Sequence, residues 1–182
     1  MATTKHTIIA LVENKPGVLN RMVSLFRRRG FNIESLAVGH SELPRLSRMT
    51  IVVDGAATMV EQVRKQLEKI VDVVKVTDIS AENAVTRELA LIKVKATAST
   101  RSEIIEIVDI FRANIVDVAA DSVTVEVTGN EDKINSLFNL LRGFGIKEMN
   151  RTGLIATTRG MVGVLPVAEG LTKTRGKGQK TF

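Results

Sequence analysis

The chain has 182 residues, enough for one large domain or two small ones. It contains no Cys, which excludes disulfides, thiolate zinc sites and cysteine nucleophiles, and its two histidines, His6 and His40, are too few for a His-rich metal site. The net charge of +6 is uneven: Lys173, Arg175, Lys177 and Lys180 supply +4 from Gly170 onward, leaving 22 basic against 20 acidic residues before it.

The body therefore does not read as a polyanion binder, and no nucleic-acid partner is expected. Residues Met1 to Thr7 lack a basic region followed by an apolar stretch. The longest apolar runs are a few residues, against the roughly 20 that a membrane helix needs. A soluble cytoplasmic protein, or an organellar one already trimmed, independent of membranes, is the expectation.

His6 to Val12 is a compact β-rich run, and a turn follows at Glu13-Asn14-Lys15-Pro16-Gly17. Leu19, Met22 and Phe26 then recur at helical spacing. Arg27 to Arg29 close that helix and Gly30 is a natural stop. Ile33 to His40 reads as a second strand, Leu43-Pro44 as a turn, and Met49, Ile51 and Val53 as a third strand. Val60, Val63, Leu67 and Ile70 form a helical stripe, and Val73 to Ile79 a fourth strand. The order is βαββαβ.

The order then repeats. Leu89 to Ala96 is a strand. Thr100-Arg101-Ser102-Glu103 has the form of a capping box. Ile104, Ile107, Val108 and Phe111 mark a helix, and Ile115 to Val118 a strand. Val123, Val125 and Val127 alternate with Thr124, Glu126 and Thr128, which predicts a strand with one wet face. Ile134, Leu137, Phe138 and Leu141 give a last helix, and Ile146 to Ala156 completes the set. Leu25-Phe26-Arg27 and Ile110-Phe111-Arg112 lie 85 residues apart, and each precedes an Asn-Ile pair.

The pattern predicts an α+β chain of two tandem ferredoxin-like domains, at residues 5–80 and 86–160, with a flexible basic tail at 161–182. Each half is small enough to fold alone only marginally, and each exposes sheet edges. Dimerisation through the sheets is therefore expected. The RNA-binding RRM domain shares this topology, but its stacking aromatics are missing from the third strand, where Met49, Ile51 and Val53 stand.

Catalysis finds little support. No Gly-x-Ser-x-Gly elbow and no phosphate loop followed by Lys-Ser or Lys-Thr is present. The informative segment is Asn14-Lys15-Pro16-Gly17-Val18-Leu19, which joins the first strand to the first helix. A helix start offers free N–H groups and partial positive charge, and Gly17 lets a carboxylate approach the amides of Gly17 and Val18. Asn14 can cap the helix or bind a ligand. Asn32, within an apolar run, needs partners: it could bind backbone locally, or accept a hydrogen bond from a ligand's ammonium with its carbonyl. With Val18, Leu19 and Ile33 alongside, the group suits a free amino acid with an aliphatic side chain.

Val12 to Leu19 resembles the ligand loop of ACT domains. Arg29-Gly30-Phe31-Asn32-Ile33-Glu34-Ser35-Leu36 and Leu46-Ser47-Arg48-Met49-Thr50-Ile51 resemble the regulatory (small) subunit of acetolactate synthase, also called acetohydroxyacid synthase. Arg87 to Val94, Ile110 to Val118 and Arg151 to Gly160 resemble that family's second domain and its end. The resemblance spans roughly residues 5 to 160. It implies a first domain of the ACT type and a regulatory subunit without catalytic residues or cofactors of its own. The implied partner is a catalytic large subunit carrying thiamine diphosphate, Mg²⁺ and FAD. The small subunit would activate it and confer feedback inhibition by valine, or by leucine or isoleucine. It also implies a homodimer through the ACT domains, with Asn14, Lys15, Pro16, Gly17, Val18 and Leu19 of one protomer and Asn32 and Ile33 of the other holding the effector. The second half departs from the ligand motif: its turn, Ala98-Ser99-Thr100-Arg101, has no Pro-Gly. A free-standing ACT-type amino-acid sensor is the alternative.

Overall fold

The computed structural model describes residues 5–80 and 83–160, apart from the Ala57 side chain; the expected basic tail at 161–182 lies outside them. The first half comprises β1 (Lys5–Glu13), α1 (Val18–Arg29), β2 (Ile33–His40), β3 (Leu46–Asp54), α2 (Ala57–Leu67) and β4 (Val73–Asp78). Its antiparallel sheet has the order β2-β3-β1-β4. Ile8, Ala10 and Val12 of β1 face the helices and meet Val18, Met22 and Phe26 of α1 and Val60, Val63 and Leu67 of α2. Gly30 stops α1 in the left-handed region at φ 69°, a conformation glycine adopts without a Cβ penalty. α2 ends at Leu67, so Ile70 reaches the core from the following turn rather than from the helix.

The second half repeats the plan with β5 (Ala84–Lys95), α3 (Arg101–Ile110), β6 (Asn114–Val118), β7 (Ser122–Gly129), α4 (Glu131–Leu141) and β8 (Ile146–Arg151), followed by β9 (Ile155–Thr158). Its sheet order is β6-β7-β5-β8, with β9 pairing the first part of β5. Val123, Val125 and Val127 are buried against both helices while Thr124, Glu126 and Thr128 face the other side. The two halves are ferredoxin-like βαββαβ folds with separate cores.

Three local readings change. The run from Ile146 to Ala156 is broken into two strands at Thr152–Leu154, where Gly153 has φ 83°. β5 starts at Ala84, not Leu89, because its first residues pair with β9. The capping box does not form. The Thr100 hydroxyl accepts from the Thr97 N–H at 2.9 Å instead of capping α3. Asn130, by contrast, does cap α4, accepting from the Lys133 N–H at 3.1 Å.

The halves are joined face to edge. Ile9, on the sheet face of the first half away from its helices, packs with Ile79, Ala156 and Ala84. Arg48 donates to the Ala156 carbonyl at 3.0 Å, and Lys5 pairs with Glu131 at 2.6 Å. The Leu154 N–H donates to the Ser35 hydroxyl at 2.8 Å. The register shift between Ile33 and Ser35 places Ser35 for that contact. β9 and the turn before it thus clip the second half onto β2.

Candidate functional site

β1 delivers the chain into the turn at Asn14–Gly17. Glu13 and Asn14 are fixed by backbone bonds from the Glu13 N–H to the Asp72 carbonyl and from the Asn14 N–H to the Arg45 carbonyl, both at 2.8 Å. Gly17 occupies the N-cap of α1 at φ 85°, and no side chain caps the helix. Asn14 therefore does not cap it; its Nδ2 lies 3.5 Å from His40 Nδ1. Pro16 precedes the N-cap instead of standing in the first helical turn.

The Val18 N–H already donates to the Lys15 carbonyl at 3.4 Å. The Gly17 amide donates to no backbone group among the described residues, and with those of Leu19 and Asn20 it is what the uncapped helix leaves for an anion. The Val18 side chain is buried in the core at 2% exposure, so only its backbone borders the turn. Leu19 is exposed at 42%. Lys15 is ion-paired with Glu13. Asn14 and Lys15 line a cavity of about 490 Å³ together with Leu43, Pro44, Arg45 and Val74.

Sequence reasoning missed Arg21. Its guanidinium donates to the carboxylate of the buried Asp72 at 2.7 Å. Its Nη2 lies 3.7 Å from where a Cβ on Gly17 would be. A guanidinium thus stands beside the helix start with its charge matched by Asp72, and it adds N–H donors to the partial positive charge of the helix amides. The available signal was spacing: residue 21 is one helical turn after 17 and shares its face.

Asn32 is exposed, not buried within the apolar run, and its Nδ2 donates to Glu34 Oε1 at 2.5 Å. Ile33 is partly buried against the first core. These two residues do not lie near Asn14 and Gly17 within one chain. Ile33 is opposite Val53, and Val53 is opposite His6, at the start of β1; Glu13 is opposite Leu46, at its other end. Seven residues of strand at ~3.3 Å each separate the two groups by about 23 Å. β2 runs parallel to β1 and forms one edge of the first sheet. The end of β2 that does lie beside the turn is His40, next to Asn14.

Comparison with known proteins decides the family. Residues 87–160 match the family model "Small subunit of acetolactate synthase", and residues 8–75 match "AHAS small subunit-like ACT domain". The chain is 58% identical over 156 residues to a "Probable acetolactate synthase small subunit" of Archaeoglobus fulgidus, covering 86% of this chain and 98% of that one. The chain belongs to the acetolactate synthase small-subunit family. An acetolactate synthase small subunit of Mycolicibacterium smegmatis is 50% identical over 162 residues, covering 89% of this chain and 95% of its own. The crystal structure of the small subunit from Thermotoga maritima superposes with a TM-score of 0.81 at 45% identity, covering 87% of this chain and 99% of that one. A small subunit of this family with an ACT domain has a regulatory role, and its name implies a larger partner. Among the described residues no helix is long and apolar enough to cross a membrane, and no three His, Asp or Glu side chains converge as metal ligands.

Proposed function

We propose that this chain is the cytoplasmic regulatory subunit that activates the catalytic large subunit of acetolactate synthase and confers feedback inhibition by a branched-chain amino acid, valine first. Thiamine diphosphate, Mg²⁺ and FAD belong to the large subunit in this reading. The effector's carboxylate sits at the start of α1, against the amides of Leu19 and Asn20 and beside Arg21. Asn14 and Lys15 border it, and Pro16 and Gly17 keep the approach open. Asn32 and Ile33 of a second copy hold the ammonium and the aliphatic side chain.

The separation of the two residue groups supports this arrangement. Placed at opposite ends of one sheet, they cannot share a small ligand within a chain. A twofold antiparallel pairing of β2 with the β2 of a second copy sets the Asn32 end of one strand beside the His40 end of the other. His40 is already the neighbour of Asn14. The pairing also covers an edge strand. An effector that bridges two copies selects one dimer arrangement and acts through its differential affinity for the two states, with couplings of about 1–3 kcal/mol.

The test is acetolactate formation by the matching large subunit, with and without this chain, across a valine titration. Stimulation with valine inhibition is the expected result. Stimulation without inhibition by valine, leucine or isoleucine refutes the feedback role. No stimulation refutes the partner and favours a free-standing sensor. Gly17→Asp places a carboxylate where the effector's would lie, in a left-handed conformation that Asp tolerates better than most residues. It should raise the valine concentration for half-inhibition about tenfold or more, a cost of about 1.4 kcal/mol. Unchanged inhibition in that variant removes the site from α1.

A further inference from the structure

Glu34 is not among the residues assigned to the effector, yet it is the hydrogen-bond partner of Asn32. We propose that Glu34 makes the effector site selective for α-amino acids over the corresponding 2-oxo acids. The inference rests on the two-copy effector site described above.

The Asn32 amide sets the polarity of its end of the site. Its nitrogen donates, its oxygen accepts, and the two ends are interchangeable by a flip. The neighbour decides which way it stands. A carboxylate at neutral pH accepts and does not donate. The atom facing Glu34 Oε1 at 2.5 Å is therefore Nδ2, and Oδ1 is turned to the other side. A ligand group that meets Asn32 there finds an acceptor, and must itself be a donor. Glu34 also brings a negative charge within reach of that donor, on a residue that is exposed and forms no ion pair among the described residues. The nearby charged groups at the junction of the halves are matched with each other: Lys5 with Glu131 and Arg151 with Glu88.

The other half of the site has the opposite polarity. The start of α1 presents N–H groups and the Arg21 guanidinium. One copy offers the donor-rich, partly positive start of a helix and the other an anionic end, which is the pattern of a zwitterion. A 2-oxo acid has the same carboxylate and the same side chain, but a carbonyl acceptor in place of the ammonium donor. It would satisfy the α1 end and set acceptor against acceptor at Asn32, leaving a polar group unpaired, which is costly. Discrimination of this kind, where a site's polar group loses its partner, is large compared with that from apolar fit.

The experiment is calorimetric titration of the full chain with valine, with 3-methyl-2-oxobutanoate and with 3-methylbutanoate, for the wild type, Glu34→Gln and Gly17→Asp. The wild type should prefer valine to the oxo acid by about a hundredfold or more. Glu34→Gln removes the charge and frees the Asn32 amide to flip. It should weaken valine about tenfold or more, leave 3-methylbutanoate within about twofold and not weaken the oxo acid, so that the preference for valine over the oxo acid falls from about a hundredfold to about tenfold or less. Gly17→Asp should weaken all three alike, which separates the two ends of the site. A Glu34→Gln protein that binds valine as the wild type does overturns the assignment of Glu34 alone. A wild type that binds none of valine, leucine and isoleucine overturns the effector site, and this inference with it. Unfolding midpoints of the variants distinguish lost binding from lost folding.

Discussion

Gly153→Ala tests the clip between the two halves. Gly153 has φ 83°, and a Cβ there would stand 3.0 Å from the Leu36 carbonyl oxygen and 3.0 Å from Ser35 Oγ. The hydroxyl can rotate away, but the carbonyl belongs to β2 and cannot move without disturbing the ladder to β3. The left-handed conformation alone costs an L-residue about 1–2 kcal/mol. Relieving the contact lifts Leu154 from Ser35 and loses a hydrogen bond of about 1 kcal/mol. The sum is about 2–3 kcal/mol. Gly30→Ala is the control: its φ is 69°, and nothing lies within 4 Å of its Cβ position. It should cost only the conformational part. Urea unfolding followed by circular dichroism compares the two, and hydrogen exchange at the Leu154 amide reports the clip directly. Gly153→Ala should exceed Gly30→Ala by about 1 kcal/mol or more, with faster exchange at Leu154. Equal costs and unchanged exchange would refute the account of the clip.

Two further outcomes follow from charge and from linkage. The hydrogen bonds from the Arg64 guanidinium hold the Glu61 carboxyl down from the ordinary 4.5 to about 2, with Lys65 adding to the effect. The unfolded chain therefore binds the extra proton between those values, so this contribution to stability is complete above about 4.5 and fades as the pH falls toward 2. NMR titration should find Glu61 moved most of the way back toward its ordinary value in Arg64→Ala, with Lys65 still holding it somewhat low, and shifted the same way in high salt because the pair is exposed; a Glu61 titration indifferent to Arg64 refutes the pairing. If the effector bridges two copies, valine must tighten self-association by the same factor that association tightens valine binding. Sedimentation of the wild-type chain at low concentration should show more dimer with saturating valine, and bound valine with no change in association would refute the bridge.

Much of the architecture was legible because local chemistry and tertiary packing agree. α1 runs from Val18 to Arg29, as the apolar spacing and Gly30 require, and β2 runs from Ile33 to His40, as read. The alternation in β7 separates core from exposed face as read. What escaped was non-local. Nothing near residue 84 announces a strand, because its first residues are ordered by β9, more than seventy residues away. The break at Gly153 reflects contact with Ser35 and Leu36, over a hundred residues earlier. Thr100 looked like a cap, but the Thr97 amide competes for the same hydroxyl and is closer in the turn that forms.

For the proposed site the sequence offers residue types and not their geometry. A Pro-Gly turn before a helix is compatible with an anion site and equally with a plain helix start, and Asn32 gains meaning only from its place on the sheet. Sequence order suggests that residues 14 and 32 are neighbours across one helix. Strand direction says otherwise. α1 carries the chain back along the sheet, so β2 starts where β1 started. A helical crossover between parallel strands places the two ends of α1 at opposite ends of the strands that it connects. Any site that needs both ends of α1 at once is therefore beyond a single βαβ unit, and the unpaired edge of β2 is where a second unit can supply the missing end.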